Sequence, residues 1–528
     1  MLKTATLSWF LKDQGLQHAF QRQCTPDVHT ENLKDLVLPA AAIFLLALGV
    51  YAYTLAPTIL WGDPTKLARF VHAGQPRYLG GGTHGLHTLL GMVFVYLLPD
   101  TWPLAYKTNL MSAFWASLSL PIIYVVVRHL VGSTLPALGA TACIGLSHMF
   151  WWVATLTESY SLLVFTFAVS LWFFVRWAVD GNDWWLLALL GSLLIGFLNH
   201  YLTLLFVPVY AVFAVYYARS RRRILGIYLA VAFIGGGLLA TDTGVRGFSA
   251  LVETTYVHLT QFSDYSKLPK EMLLFFLYLS YQYPVAIFFG LFGLRTARHP
   301  LTPLVLSLIV IDVVFASFFG KARQLFQLLP AFILFGYFIA AGFASVAAKM
   351  APKRFLMLLL AVALLQPATY FVVTRSASYL FHVNLVSEST FPYRDANIYY
   401  LWPSKRGDHI TYDFAKNAFA VMETGAVILA DFNIWEPLRY LQSVEGVRPD
   451  IRVKCTNEFC YQPVETIWRD LRAYIDEQLA NHKPVYMAAY ESFNFFTIDK
   501  ETVPFRSRLD ATYRIHPTCN IFQIVGKR

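Results

Sequence analysis

Eleven apolar runs of membrane-spanning length constrain this chain more than any other feature. They fall near residues 37–56, 110–127, 134–152, 158–175, 185–198, 202–217, 224–241, 271–294, 301–320, 325–345 and 355–373. A helix of about 20 apolar residues crosses a bilayer core of about 30 Å. Across the 528 residues, 56% are hydrophobic and 14% are charged, against roughly 25% charged in soluble chains. A soluble globular protein is excluded, and a polytopic α-helical membrane protein of about 11 spans is expected.

Short loops rich in Lys and Arg set orientation. Arg219 with Arg221–Arg223, Arg295 with Arg298, and Lys349 with Lys353 and Arg354 fall on one side if the N-terminus is cytoplasmic, and Arg128 and Arg176 join them. This parity places the loop Thr58–His87, the 152–158 turn, the Asn199-His200 turn, the 242–270 loop, the Lys321–Gln324 turn and everything after 373 on the extracytoplasmic side. Leu86–Leu98 is apolar but breaks parity as a span, so it reads as a helix on the outer membrane surface. Three parts follow: a cytoplasmic segment 1–36, a transmembrane domain 37–373 with an external catalytic loop 57–109, and an extracytoplasmic domain 374–528. No cleavable signal peptide is read in the first 36 residues.

Charge divides along the same lines. Residues 374–528 hold 18 acidic and 18 basic side chains, whereas 1–373 hold 14 acidic and 24 basic, the source of the whole +10. That excess belongs to membrane loops and phosphate binding, and nothing in it points to nucleic acid. Within 374–528, strands are expected at Ala426–Ala430, Ile451–Lys454 and Pro484–Ala488, with helices at Glu436–Ser443 and Thr466–Ala480. The alternation predicts a small α/β domain with a parallel sheet. Its loop Asp431-Phe432-Asn433 lies at the carboxyl end of the first strand, where such sheets bind ligands, so it binds an acceptor or packs on the membrane domain. Cys455 and Cys460 read equally as a disulfide or as two free thiols.

The loop Thr58–His87 gathers Asp63, Lys66, Arg69, Arg77, His84 and His87 beside Gly80–Gly82, a setting for chemistry on an anionic lipid headgroup. Asp63 and Glu158 are the two external acids at the membrane boundary with polar and aromatic neighbours. Asp63 before Pro64 also reads as a helix N-cap. Asp312, inside a span, is either functional or a structural hydrogen-bond partner.

Several stretches together resemble one family, the multi-pass group that includes the eukaryotic transmembrane O-mannosyltransferase of receptor ectodomains, within the GT-C class of polyprenyl-phosphate-sugar glycosyltransferases. They are Thr54–Thr58 with Trp61-Gly62-Asp63, Gly82–Gly91 (GTHGLHTLLG), Phe150-Trp151 through Glu158 and Tyr160 to Leu162, Gly196 to Asn199-His200, and Asp431 through Val453. The family's Gly-Glu after the first aspartate is Thr65-Lys66 here, and its His-Pro-Pro-Gly turn is replaced by glycines.

The resemblance implies an inverting glycosyltransferase that moves a sugar from a polyprenyl-phosphate donor to a protein, lipid or glycan acceptor on the extracytoplasmic face. The lipid-linked sugar is co-substrate, and no separate cofactor is implied. Such transfer needs a base for the acceptor hydroxyl and cations or donors for the departing phosphate. Asp63 is the expected base. Lys321 and Arg323 are expected phosphate holders, against snorkelling at the headgroups. Asn199 and His200 are expected on phosphate or sugar. Glu158 orients a sugar hydroxyl or pairs with Lys66 or Arg69. Lys66, Arg69, His84 and His87 complete the substrate-binding set. His84 and His87 are also spaced as a metal pair, but no third ligand is evident, so no metal is expected. Two rival readings remain: a non-catalytic glycan- or lipid-binding relative, prompted by Lys66, and a lipid-linked-sugar transporter. The membrane expected is a bacterial inner or plasma membrane.

Overall fold

The computed structural model describes residues 33–74, 84–218, 226, 268–318, 325–386, 395–456, 463–489 and 506–528. Helices dominate. The first span, α1 (Leu33–Tyr53), is followed by α2 (Asp63–Ala73), α3 (Gly85–Leu97) and the long α4 (Leu104–Val131). Next come α5 (Thr134–Gly145), α6 (His148–Ala154), α7 (Ser159–Asp180), α8 (Asp183–Asn199) and α9 (Thr203–Tyr217). After 267 the chain forms α10 (Leu268–Gln282), α11 (Ala286–Thr296), α12 (Thr302–Phe318), a 3-10 turn (Leu325–Leu328), α13 (Leu329–Ala347) and α14 (Pro352–Arg375).

Among the described residues five helices are long and apolar enough to cross a membrane, or up to seven if each bent pair is one span. The shorter apolar helices α8, α9 and α12 match three further expected spans, and 224–241 lies outside the described residues. Two expected spans are bent. Thr134–Ala154 breaks by 62° between α5 and α6, and 271–294 turns by 113° between α10 and α11. The second corrects the reading of 271–294 as one straight span: Pro284 lies at the break, where a proline removes a helix hydrogen bond. α11 still packs tightly, because Gly293 and Gly342 let two backbones meet. A Cβ on Gly293 would fall 1.8 Å from the Phe338 carbonyl oxygen, and one on Gly342 2.1 Å from that of Phe289. Such small-residue crossings are how helices associate without a hydrophobic drive.

Hydrogen bonds show which helix ends lie together. Asn109 at the start of α4 donates from Nδ2 to the carbonyls of Ala56 (2.9 Å) and Thr58 (3.1 Å). Trp151 in α6 donates to Thr54 Oγ1 at 2.9 Å, and Asn199 at the end of α8 donates to the Ser159 carbonyl at 3.0 Å. At the opposite end Arg128 donates to Thr134, Tyr217 donates to the Pro300 carbonyl, and His129 faces His299. The ends near Arg128, Tyr217 and His299 therefore lie together, at the far end of α4 from Asn109. Asp312 Oδ2 accepts the Ala331 amide at 2.9 Å, capping the start of α13 from a neighbouring helix, while Oδ1 is buried with no hydrogen-bond partner among the described residues. α3 is too short to span; Lys107 closes its end by donating to the Val95 and Leu98 carbonyls.

The C-terminal part contributes α15 (Ala396–Leu401), α16 (Ile410–Val421), β1 (Val427–Ala430), α17 (Phe432–Glu445), β2 (Arg452–Cys455), α18 (Val464–Ala480), β3 (Val485–Met487), α19 (Arg506–Thr512), β4 (Tyr513–Thr518) and β5 (Ile521–Lys527). The five strands form one sheet in the order β2-β1-β3-β5-β4. β2, β1 and β3 run parallel, but β3–β5 and β4–β5 pair antiparallel. The sheet is thus mixed, which corrects the expectation of a parallel one. Alternation along β1 divides the core. Leu429 packs with Ile467, Leu471 and Ile475 of α18, while Ile428 and Ala430 join a core continuous with the membrane domain. Segment 395–405 is laced to the bundle: the Lys405 amide donates to the Thr54 carbonyl, Thr155 Oγ1 to Pro403, and Trp152 Nε1 to Tyr399. Cys455 ends β2, and Cys460 lies outside the described residues.

Candidate active site

The site begins with a glycine. Gly62 has φ +73°, and a Cβ there would meet Asn433 Oδ1 at 2.6 Å; its amide donates to the Asn433 carbonyl at 3.2 Å. Only glycine combines that backbone with that approach. Trp61 packs edge-on against Phe414 at 5.3 Å, and Thr65 Oγ1 donates to the Leu60 carbonyl. Together these contacts launch α2 from beneath the C-terminal domain. Asp63, the first residue of α2, is 61% exposed and takes a hydrogen bond from Lys66 Nζ at 3.2 Å. The cap itself is Gly62, so the N-cap alternative for Asp63 is not what the structure shows. The carboxylate still stands in the first helical turn, where the helix dipole favours negative charge.

Across from α2 lies a cluster of rings. His84 precedes α3 in a left-handed backbone, φ 50°. Its Nδ1 is 2.9 Å from the Asn199 carbonyl. The His84 and His200 rings are 5.2 Å apart, and His200 is flanked by Tyr160 at 4.8 Å and stacked on Tyr201 at 4.7 Å. Phe326, in the turn after 321–324, bridges Tyr160 (5.4 Å) and Trp152 (5.1 Å). Glu158 caps the buried start of α7, its amide donating to Ser112 Oγ at 3.0 Å. It pairs with neither Lys66 nor Arg69, which are engaged with Asp63 and Glu436.

The electrostatics tie these groups to Asp63. Burial pushes the Glu158 carboxyl well above its usual range and the Asp63 charge adds to it, while the Ser159 amide and Lys66 oppose. Burial lowers the His84 imidazole, opposed by its bond to Asn199 and by Asp63, with Lys66 lowering it further. His200 is lowered well below its ordinary value by burial and then by His84. The result is two neutral imidazoles and a carboxyl biased towards its protonated form, beside one exposed, lysine-paired carboxylate.

Other expected residues have different surroundings. Arg69 donates from Nε to Glu436 Oε2 at 2.8 Å and lies over Trp435 at 5.2 Å, so its guanidinium clasps α17 to α2. Lys66 lies 5.3 Å over the Phe432 ring. The loop Asp431-Phe432-Asn433 thus packs on the membrane domain at the Asp63 loop, while Asp431 Oδ1 accepts the amides of Asn433 and Ile434 to cap α17. His87 is buried in α3, its ring nitrogens meeting no hydrogen-bond partner among the described residues. Arg77, Gly80–Gly82, Lys321 and Arg323 lie outside the described residues.

Sequence reasoning missed Lys405. Its buried Nζ donates to the carbonyls of Tyr399 (2.5 Å) and Trp402 (2.7 Å) and lies 5.5 Å over Trp152. No spacing marked it, because its contacts come from tertiary docking. Among the described residues no group of three or more His, Cys, Asp or Glu could hold a metal ion.

Residues 83–224 match the family model described as Protein O-mannosyl-transferase TMEM260 N-terminal domain. No curated protein matches the chain. Among solved structures, ArnT from Cupriavidus metallidurans bound to undecaprenyl phosphate is similar at 12% identity and TM-score 0.47, over 93% of this chain and 98% of that one. Its apo state is similar at 13% identity and TM-score 0.47, over 92% and 97%. The apo Archaeoglobus fulgidus oligosaccharyltransferase is similar at 12% identity and TM-score 0.45, over 86% of this chain and 70% of that one. Residues 83–224, which run from the His84 loop past α9, are thus similar to the N-terminal domain of that O-mannosyl-transferase family.

Proposed function

We propose that the chain moves a sugar from a polyprenyl-phosphate donor to a hydroxyl of a protein, lipid or glycan acceptor, with inversion, on the extracytoplasmic side of the membrane. One observation carries the reading: an exposed carboxylate, Asp63, faces a buried group of neutral hydrogen-bonding side chains, His84, Glu158, Asn199 and His200, at one end of an apolar bundle. In this reading Asp63 takes the proton of the acceptor hydroxyl as its oxygen attacks the anomeric carbon, and the lipid phosphate leaves with the bonding electron pair. Lys321 and Arg323, which precede Phe326 in the sequence, hold the departing phosphate. Glu158 meets a sugar hydroxyl. The N-terminus is then cytoplasmic and the C-terminal domain covers the cleft from outside.

The Asp63–Lys66 pair favours a second reading. A carboxylate neutralised by its own helix suits a relative that binds a lipid-linked glycan without transferring it. Detergent-purified protein supplied with a panel of radiolabelled polyprenyl-phosphate sugars separates the two. Transfer or donor hydrolysis supports the enzyme; saturable donor binding with no turnover supports the binding protein.

A further inference from the structure

The two imidazoles at the site are held in opposite tautomers. His84 Nδ1 faces a carbonyl oxygen, that of Asn199, at 2.9 Å. A carbonyl only accepts, so Nδ1 carries the proton, and in a neutral ring Nε2 is left with a lone pair. His200 Nδ1 instead accepts the Leu202 amide at 3.2 Å, so there Nε2 carries the proton. Burial, with Tyr160 and Tyr201 packed against His200 and with Asp63 and Lys66 acting on His84 in opposite directions, keeps both rings neutral. One ring thus offers an acceptor and the other a donor, with centroids 5.2 Å apart. Asn199, which links them, leaves Oδ1 buried with no hydrogen-bond partner among the described residues. Tyr160 and Tyr201 pack against the His200 ring at 4.8 and 4.7 Å and fix its orientation.

From this, and resting on the transferase reading above, we propose that His84 and His200 form a subsite for the neutral hydroxyls of the donor sugar and do not bind its phosphate. A hydroxyl both donates and accepts, so it can meet the His84 lone pair as a donor and the His200 N–H as an acceptor. A phosphate oxygen at neutral pH only accepts, and the His84 lone pair repels it. The subsite selects hexoses with adjacent free hydroxyls, and it disfavours sugars that carry a charge or a hydrogen at those carbons.

The test uses two conservative variants and a set of monodeoxy donors. His84→Asn keeps an N–H for the Asn199 carbonyl and tolerates the left-handed backbone, but removes the Nε2 lone pair. His200→Asn keeps an acceptor for the Leu202 amide and removes the Nε2 proton. Each variant is expected to lower kcat/KM for the fully hydroxylated donor about 10- to 100-fold. With the donor deoxygenated at the carbon it reads, the same variant is expected to lose nothing further. Binding of sugar-free polyprenyl phosphate is expected to be unchanged. Equal losses with every deoxy donor, or weakened binding of the sugar-free lipid, would overturn the assignment. If wild-type protein binds donors but transfers none, the transferase reading fails while the same comparison in binding constants decides the subsite. If it binds no donor, both fail.

Discussion

The clasp between Arg69 and Glu436 joins the active-site helix to a domain 367 residues further along the chain, and it yields an asymmetric prediction. The Glu436 side chain is 2% exposed and that of Arg69 15%. Arg69→Ala strands a carboxylate in the interface, at a cost of roughly 3 kcal/mol, the low end for breaking a buried pair. Glu436→Ala leaves Arg69 on Trp435, 5.2 Å below it, with an edge open to solvent, and costs roughly 1–2 kcal/mol. The double variant is expected to lose less than the sum of the singles, because removing both partners strands nothing. A domain of this size shifts by about 2–4 °C per kcal/mol. Thermal unfolding in detergent should therefore drop by about 6–12 °C for Arg69→Ala and by about 2–8 °C for Glu436→Ala.

The pH dependence carries a sign. Burial already pushes the Glu436 carboxyl up, and Arg69 is the main group opposing it. Without Arg69 the folded-state value rises further above the unfolded one. The variant is then spared at low pH, where Glu436 is protonated, and it loses stability as pH rises through the folded value. Equal effects of the two single variants, strict additivity, or a deficit that grows on acidification would refute the reasoning.

Three further outcomes are expected. Burial pushes Asp431 up to about 6, so its contribution is fully present below about pH 4 and is lost as pH rises through 6, a swing of roughly 3 kcal/mol. Asp431→Asn, which keeps an acceptor for the α17 amides, should flatten that slope in a pH series of melts and raise stability at pH 7. Gly62→Ala adds a Cβ where Asn433 Oδ1 is 2.6 Å away, on a backbone costing about 1–3 kcal/mol for other residues. Limited proteolysis should show the C-terminal domain loosened with the bundle intact. Glu158→Gln, which mimics the protonated carboxyl that burial favours, should keep most transfer activity, whereas Glu158→Ala should lose it in the same assay.

Much of this architecture is legible in local sequence, because spans and buried strands declare themselves by length and composition. β1, β2, β3 and α18 fall within one or two residues of where alternation and helical periodicity place them. The β4–β5 hairpin escaped because the burial of β4 does not alternate and its turn, Cys519-Asn520, has no glycine signal. The bend between α10 and α11 escaped because hydropathy averages over it, and only Pro284 hints at a break. Of the site, the residue types at Asp63, His84, Glu158, Asn199 and His200 were readable from motif order. What each one touches was not. The tautomers of His84 and His200 depend on backbone groups at Asn199 and Leu202, and the fate of Arg69 depends on Glu436. Lys405 gave no signal, since nothing in 395–405 foretells its docking against Thr54 and Trp152.

The most direct measurement of the account is single-turnover transfer from a radiolabelled polyprenyl-phosphate sugar by wild type and by Asp63→Asn, with donor affinity recorded on the same preparations. The account predicts a loss of at least about 100-fold in the chemical step, the scale of a removed general base, with donor binding and melting temperature unchanged. Turnover by Asp63→Asn at the wild-type rate would contradict it.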